Sequence, residues 1–417
     1  MFRKLEPAVM KLLKGIRNWL LWCGRVFARE WNTVLHDQGV LVFFVVLPII
    51  YPVIYTLIYN PEVLRDIDII VVDQDRTARS RQLVRDASAA PAIRVYDYAA
   101  DMPEARRWMA EGKAYGILYI PKDFGKEVGR FGQAHATFYC EMSLLLRYRD
   151  FMSALSDVQL KEIAEITQER KDMLGVAGTS LGGLPIENQA HMVGDTEQGF
   201  ASFLMPGIIV LILQQAMLLG ICMLGGASHE RRRVNGGYDP TMVAGAPLSA
   251  TVWGRTLCYF TFFLPFTIWI LHWVPEIFSL PHVGEPSQYL LFIVPMLLAT
   301  GFLGQTINYF VTDRESSFVV LVVSSVLFLF LTGLTWPRYA SPGIWKVVGD
   351  FVPGVWGVQG FISISSTGGD TSSNATQLWW MWGLTLFYFV TSMCVLRLVA
   401  HKARRLYGGV STKRPSR

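Results

Sequence analysis

Two clusters of charged residues in this sequence have residue types and spacing that could support chemistry. The first cluster, Asp66, Asp68, Asp73 and Asp75, places four carboxylates close together and could hold a cation. It lacks the spacing and the distal Glu of an EF-hand loop, and acidic residues at strand ends are more often solvated turns. We therefore favour a turn over a metal site.

Common catalytic patterns are missing from the sequence. Gly112-Lys113 and Gly125-Lys126 lack the earlier glycine and the following Ser or Thr of a phosphate-binding loop, so we expect no ATP site of that kind. There is no HExxH, no GxSxG, and no CxxC pair among the five cysteines. We expect no catalytic residue, metal or cofactor in this chain, and a membrane-embedded enzyme is the least favoured function class.

The second cluster is Glu230 with Arg231–Arg233, in the polar stretch Ser228–Ser249. Runs without Asp, Glu, Lys or Arg flank it at 201–224 and 257–274, and each is long enough to cross ~30 Å of hydrocarbon. A short loop that carries three consecutive arginines between two spans is expected to stay in the cytoplasm.

Composition and charge distribution indicate a polytopic membrane protein. Apolar residues make up 52% of the chain and charged residues only 17%. Residues 1–37 and 397–417 each carry seven Lys or Arg, whereas 60–200 holds 17 basic and 22 acidic residues. This asymmetry predicts an inner-membrane protein with both termini cytoplasmic and 60–200 extracytoplasmic. Nucleic-acid binding would also fit basic ends, but no aromatic platform accompanies them, so we expect no nucleic-acid partner.

The apolar pattern predicts an α-helical membrane protein with six transmembrane helices and an inserted extracytoplasmic α/β domain. The predicted spans are 38–59, 201–224, 257–274, 289–310, 316–331 and 378–399. Within the transmembrane domain, 201–400, the segment 333–366 is broken by Gly and Pro and is expected to form short helices in the outer leaflet. A basic cytoplasmic tail follows at 401–417.

Residues 1–37 are predicted to be an amphipathic segment on the cytoplasmic membrane surface. Its apolar side is expected to comprise Leu12, Leu13, Ile16, Trp19, Leu20, Trp22 and Cys23.

Local patterns within 60–200 predict an α/β domain. Strands are expected at 67–72, 94–98, 115–120 and 136–140, and helices at 77–87, 103–111 and 144–174. The long third helix is expected to pack through Phe151, Leu155, Val158, Ile163 and Ile166. A Gly-rich linker, Gly175–Gly183, follows it.

Four amides fall in or beside apolar runs: Gln214, Gln215, Gln305 and Asn308. Interhelical hydrogen bonds are the favoured explanation, and contact with a substrate pathway is the alternative. No acidic or basic residue lies mid-span, which disfavours a carrier driven by protons or sodium.

An external power source is therefore expected, and charged residues near the predicted cytoplasmic side could contact it. The candidates are Arg29, Glu30 and Asp37, together with Glu230 and Arg231–Arg233. Arginines that only fix topology are an equally good explanation.

Several sequence stretches together resemble a known family. In order they are REW near the first span, LPIIYPVIY, IIVVDQDRTARSRQLV, GKAYGILYIPKDFGKEV, HERRR…APLS and TGLTWPRYASP…FVPGVWGVQGF. This order is similar to the membrane subunit of a type-2 ABC exporter, in the branch with a large extracytoplasmic domain after the first span. The likeness covers nearly the whole chain and is most specific at 67–85, 112–128 and 333–361.

The resemblance implies partners and a coupling element. In that family two permease subunits pair, as a homodimer or heterodimer, and two separate ATPase subunits carrying ATP and Mg²⁺ bind their cytoplasmic faces. The loop after the second span couples them; Glu230-Arg231 and Pro247-Leu248-Ser249 match its pattern, whereas Val234–Gly237 departs from its Gly-Thr.

We therefore expect a permease for export of an amphipathic or hydrophobic substrate such as a drug or lipid. A periplasmic adaptor and membrane lipid are further expected partners. The alternative is a membrane-anchored sensor or assembly scaffold whose α/β domain binds a ligand or partner.

Overall fold

The computed structural model describes residues 5–59, 64–130, 132–141, 145–173, 200–280 and 282–407. The chain divides into a membrane unit, Met1–Asn60 with Met192–Arg417, and an inserted unit, Pro61–His191. The predicted linker Gly175–Gly183 and residues 408–417 of the predicted tail lie outside the described residues.

Two helices open the membrane unit. They are α1 (Leu5–Leu35) and α2 (Gln38–Tyr59), the latter with a π-helical turn at Val42–Val46. The side chain of Asp37 caps α2 by accepting a hydrogen bond from the amide of Val40 at 3.3 Å. Helix α2 has the length and composition of the predicted first span.

The inserted unit alternates strands and helices. Its elements are β1 (Ile67–Asp73), α3 (Ala78–Ala89), β2 (Ile93–Tyr98), α4 (Met102–Ala110), β3 (Gly116–Ile120), α5 (Phe124–Gly129), β4 (Thr137–Cys140) and α6 (Leu145–Met173). Each predicted strand and helix lies within two residues of these bounds, and α5 is the described element that the sequence analysis missed.

Helices account for most of the second part of the membrane unit. They are α7 (Phe200–Val234), α8 (Leu248–Ile277), α9 (Pro286–Ile307), α10 (Ser316–Leu331), α11 (Gly343–Asp350), α12 (Pro353–Thr367) and α13 (Ala375–Tyr407), with a 3₁₀ turn at Arg338–Ala340.

Six membrane spans were predicted, and the structure supports five plus one broken pair. Helices α2, α7, α8, α9 and α13 are long and apolar enough to cross a membrane. Helix α10 has the predicted bounds but only 16 residues, or ~24 Å, which is shorter than the ~30 Å hydrocarbon core. Helices α11 and α12 meet at 91° and count as a sixth span only if taken together. Pro353 stands at this break, as expected for the Pro/Gly-broken segment.

Helix α1 divides the predicted apolar side between two surfaces. Cys23, Val26 and Val34 are buried, whereas Leu13 and Leu20 are more than half exposed. The reason is that α1 packs along α8: Cys23 and Val26 lie against Gly254, where a Cβ would come within 3.0 Å of each. The leucine side of α1 therefore faces away from the protein, and its position on a membrane surface remains a prediction.

Helix α7 corrects the predicted polar loop. The stretch Ser228–Val234 is helical, so the connection between α7 and α8 is only 235–247. Helix α7 is also central, because it packs against α2, α9, α10 and α12. Its Gly220 lies against the ring of Phe44, and a Cβ there would overlap that ring.

The sheet of the inserted unit has the order β2-β1-β3-β4. Strand β1 runs parallel to both neighbours, and β4 is antiparallel to β3. Both faces of β1 are buried: Ile69 and Val71 pack on the side of α3 and α6, and Ile70 and Val72 on the side of α4. This arrangement explains the uninterrupted apolar run IDIIVV.

Helix α6 follows the predicted packing for about two turns and then departs from it. Phe151, Leu155 and Val158 are buried, but Ile163 is 38% exposed and the half-buried Glu162 occupies the packed position. Helical spacing explains why Glu162 and not Ile163 is packed. Steps of four, three and four residues lead from Phe151 through Leu155 and Val158 to Glu162, so these residues lie on one side of the helix. Burial, together with the neighbouring carboxylate of Asp86 on α3, raises the pKa of Glu162 to about 7.

The contact between α3 and α6 is therefore expected to weaken with rising pH. A raised native pKa makes Glu162 contribute stability that is full below its ordinary value of 4.5 and is lost as pH rises through about 7. The hydrogen bond from Lys161 lowers the pKa of Asp86, so that group acts only at more acidic pH. Hydrogen exchange of α6 in the full chain, corrected for intrinsic rates, should be slower at pH 5.5 than at pH 7.5. Glu162→Gln should slow it at pH 7.5 and remove the pH dependence. Glu165→Gln, one turn away, should retain that dependence, and equal behaviour of the two variants would contradict this assignment.

Candidate functional site

Charged residues from six parts of the membrane unit meet at one end of its helices. We call this cluster the polar hub, and its members are Glu30, Asp37, Glu230, Arg231, Asp239, Arg255 and Arg314. They come from α1, the start of α2, the end of α7, the 235–247 connection, the start of α8 and the turn before α10.

Glu30 joins α1 to α8. Its carboxylate accepts a hydrogen bond from Tyr259 Oη at 2.5 Å and lies 3.2 Å from Arg255 Nε. Glu30 is only 6% exposed, so these two partners replace its lost hydration. A further hydrogen bond, from Trp19 Nε1 to Ser249 Oγ at 3.0 Å, links the same two helices.

Arg314 joins the turn that carries it to two other elements of the hub. Its guanidinium donates to both carboxylate oxygens of Asp37, at 2.9 and 2.6 Å, and its backbone amide donates to Glu230 Oε1 at 2.9 Å. The two-point pairing fixes the orientation of the guanidinium as well as its distance. The start of α2, the end of α7 and the turn before α10 are thereby held together.

Asp239 fastens the 235–247 connection to α7. Its buried carboxylate accepts hydrogen bonds from Ser228 Oγ, from Arg231 Nε and from both the amide and hydroxyl of Thr241. Burial alone would raise its pKa, but these hydrogen bonds outweigh it and lower the pKa of Asp239 to about 2. The carboxylate therefore stays charged at physiological pH.

Of the predicted contact residues, most lie inside the hub or beside it. Glu30 and Asp37 are buried, and Glu230 and Arg231 are occupied by partners within the chain. The residues that remain exposed are Arg29, whose Nη2 donates to Pro240 O, Arg233, whose Nη2 donates to Thr312 O, and Pro247 at the start of α8. Arg232 is half-buried, with Met242 Sδ 2.8 Å from its Nη2.

Comparison with known proteins identifies the family of this chain. The family model described as ABC-2 family transporter protein matches residues 39–393. The chain belongs to the ABC-2 transporter family. No curated protein matches it.

The family assignment makes this ABC-2 transporter a multi-pass membrane protein. The matched range contains the inserted unit and the hub residues from Glu230 to Arg314, whereas Arg29, Glu30 and Asp37 precede it. The α1 side of the hub is therefore a feature of this chain that the family match does not cover.

The four predicted amides fall into two groups in this ABC-2 transporter. Gln215 Oε1 accepts from Ser324 Oγ at 3.1 Å, and Gln305 Nε2 donates to Thr256 Oγ1 at 2.7 Å, so both bridge neighbouring helices. Gln214 is fully buried and neither of its amide atoms has a hydrogen-bond partner among the described residues. Asn308 Oδ1 is likewise buried without a partner there.

Sequence reasoning missed four residues of the site: Tyr259, Asp239, Arg255 and Arg314. For two of them, the surrounding sequence contained a feature that could have identified the residue. Arg255 stands just before the uncharged run that starts at 257, where a lone arginine requires a counter-ion. Arg314 lies in the short polar turn between two apolar runs. Nothing in the local pattern marked Asp239 or Tyr259.

Removing the charge of Asp239 should release the 235–247 connection. Asp239→Asn removes a charge whose hydrogen bonds outweigh its desolvation by about 2 kcal/mol, by conversion of the lowered pKa. We expect a lower thermal unfolding midpoint for the purified chain and faster tryptic cleavage at Arg231–Arg233. Glu315→Gln is the matched control, because Glu315 is an exposed carboxylate beside the hub. Identical midpoints and cleavage rates for the two variants would show that Asp239 does not hold the connection.

Proposed function

We propose that this ABC-2 transporter is the permease subunit of an ATP-driven exporter in the inner membrane. It moves an amphipathic or hydrophobic molecule, such as a drug or lipid, out of the cytoplasm or the inner membrane. ATP and Mg²⁺ bind to a separate ABC ATPase subunit. This chain pairs with an identical or paralogous permease, and the inserted unit is a candidate dock for a periplasmic adaptor.

The polar hub is the observation that carries this proposal. A permease without its own nucleotide site must receive force from a partner and distribute it to several helices. Within the hub, one ion pair joins α1 to α8, and others join α2 and α7 to the turn before α10. The 235–247 connection is fixed to α7 by Asp239 and to α1 by the hydrogen bond from Arg29 to Pro240 O. A displacement of the connection therefore acts on these helices together.

The course of the chain supports a cytoplasmic hub and an extracytoplasmic inserted unit. Helix α2 starts at the hub with Asp37 and ends at Tyr59, and α7 starts at Phe200 and returns to the hub at Glu230. The rings of Tyr59 and Phe200 are 5.2 Å apart, so the chain leaves and re-enters the membrane unit at the end opposite the hub. The arginine-rich connection favours a cytoplasmic position for the hub.

An open cavity of about 610 Å³ at the end opposite the hub supports an amphipathic substrate. Its volume lies in the range of small-molecule sites. The lining combines apolar and polar side chains: Phe203, Leu334 and Ile362 with Ser202, Thr332, Gln359 and Arg338.

Two exposed residues, Val234 at the end of α7 and Tyr238 in the connection, are the proposed contact with the ATPase. Val234 is 85% exposed and Tyr238 57% exposed, although both are at the polar end of the bundle. Aromatic residues at the centre of an interface contribute much of its binding energy. Glu230 and Arg231, by contrast, are occupied inside the hub, so replacing them would test the stability of the hub as well as docking.

Reconstitution with the ABC ATPase encoded nearest to this chain tests the proposal. Tyr238→Ala combined with Val234→Asp should reduce co-purification of the ATPase and its permease-stimulated turnover by about tenfold or more, since a central aromatic contact is worth about 2 kcal/mol. Thermal unfolding of the permease alone should be unchanged.

The matched control is Tyr339→Ala, because Tyr339 is 85% exposed in the 3₁₀ turn beyond the far end of α10. It should leave ATPase binding intact. If the double variant retained full ATPase binding and full stimulated turnover, these two residues would not be part of the docking surface. Nucleotide hydrolysis by the pure permease would overturn the proposed division of labour.

A further inference from the structure

A small cavity lies behind the 235–247 connection, between α1, α7, α8, α9 and α13. Its volume is about 50 Å³, which is room for a few water molecules or one compact polar group. The polar side chains that line it include Glu30, His229, Arg231, Arg232, Arg255 and Asn308. We call it the arginine cavity.

The charges around the arginine cavity do not balance. Arg231 is paired with Asp239 at 3.0 Å and Arg255 with Glu30 at 3.2 Å. No carboxylate lies within ion-pair distance of Arg232 in the described part of the chain. The atom that meets its Nη2 is the thioether sulfur of Met242, at 2.8 Å, and a thioether carries no charge. A half-buried guanidinium without a carboxylate at ion-pair distance is less stable than a paired one, so an added anion would stabilise the site.

Other lining groups are suited to an anion. Asn308 presents a buried amide oxygen without a partner, and rotation of that amide by 180° puts its NH₂ donors in the same place. Hydroxyl groups of Thr33, Ser228 and Thr241 also line the cavity. Planar guanidinium groups match phosphate oxygens in pairs, which favours a phosphate over a halide.

We propose that the arginine cavity binds a phosphate group, with Arg232 as its principal partner and Arg255 and Asn308 beside it. An anionic phospholipid is the favoured source. The exposed apolar side of α1, with Leu13, Ile16 and Leu20, lies on one of the helices that form the cavity and offers a surface for acyl chains. Free phosphate shares the same headgroup chemistry and is distinguished by the experiment. Binding of the phosphate group does not depend on the transport activity proposed above. Only the assignment of the lipid to the cytoplasmic leaflet rests on that proposal.

A bound phosphate would tighten the polar hub. The cavity is lined by residues of α1, α7, α8, α9 and α13, so one ligand contacts helices that the ion pairs of the hub connect only in part. Anionic lipid is therefore expected to stabilise the chain, and the effect should weaken at high salt because the contact is ionic.

The test measures thermal unfolding of the purified full chain in detergent, with no ATPase present. Three probes are titrated: phosphatidylglycerol, phosphatidylcholine and inorganic phosphate. Phosphatidylglycerol should raise the unfolding midpoint of the wild-type chain, and phosphatidylcholine should not. Arg232→Gln should weaken the apparent affinity for phosphatidylglycerol by at least about tenfold, as expected for loss of a charged hydrogen bond. Arg232→Lys should retain part of that affinity.

Arg397→Gln is the matched control. Arg397 is an exposed arginine on α13, next to Leu396 and two residues from Val399, both of which line the cavity. This variant removes the same charge and should bind the lipid as the wild type does. The same pattern with inorganic phosphate would support the site and identify free phosphate as its source.

Equal lipid affinity of Arg232→Gln and the wild type would overturn the proposal, as would equal stabilisation by phosphatidylcholine. If Arg232→Gln does not fold, the proposal is tested by the lipid affinity of Arg232→Lys and by native mass spectrometry of the wild type. Absence of both retained phosphatidylglycerol and retained phosphate there would reject the site.

Discussion

The cost of burying charge is the constraint on which this structure depends. An isolated carboxylate or guanidinium inside an apolar bundle is costly, and pairing with hydrogen bonds offsets that cost. Glu30 is 6% exposed and Asp37 9% exposed, so each needs an arginine from a different part of the chain. Meeting this need fixes α1 against α8 and fixes α2 against the turn that precedes α10. The arrangement of the helices at this end follows from the pairing of these charges.

The two ends of the membrane unit differ in how they are stabilised. The hub end is held by ion pairs with defined geometry, including the two-point contact of Arg314 with Asp37. At the other end, α11 and α12 form a 91° bend, and Arg338 lies over the ring of Trp356, which stacks on Trp380. Charge pairing at the hub joins elements that are distant in sequence. The bent pair is stabilised by the ion pair between Arg338 and Asp350, 12 positions apart, together with nearby aromatic contacts.

Sequence patterns predicted the elements well but not the contacts between them. Apolar runs placed α2, α7, α9, α13 and all four strands because each such run must be buried from water. They could not assign Arg255 to Glu30 or Arg314 to Asp37, since these partners lie 225 and 277 positions apart. Contacts between residues distant in sequence also determine which side of α1 is buried, because that side packs against Gly254 on α8. Helix α10 is a different case, because its bounds match the predicted ones and its 16 residues, short for a span, could already be counted in the sequence.

Gln214 shows why neutral polar groups are less constrained than charges in this bundle. Its fully buried amide has no hydrogen-bond partner among the described residues, and its oxygen lies against Gly354 at the start of α12. An unpaired buried amide costs about 1–3 kcal/mol, which a stable bundle tolerates, whereas an unpaired buried charge costs several times more. The charges of the hub therefore require their partners in every arrangement in which they remain buried. The contact between α7 and α12, where Gln214 meets Gly354, carries no such charge requirement.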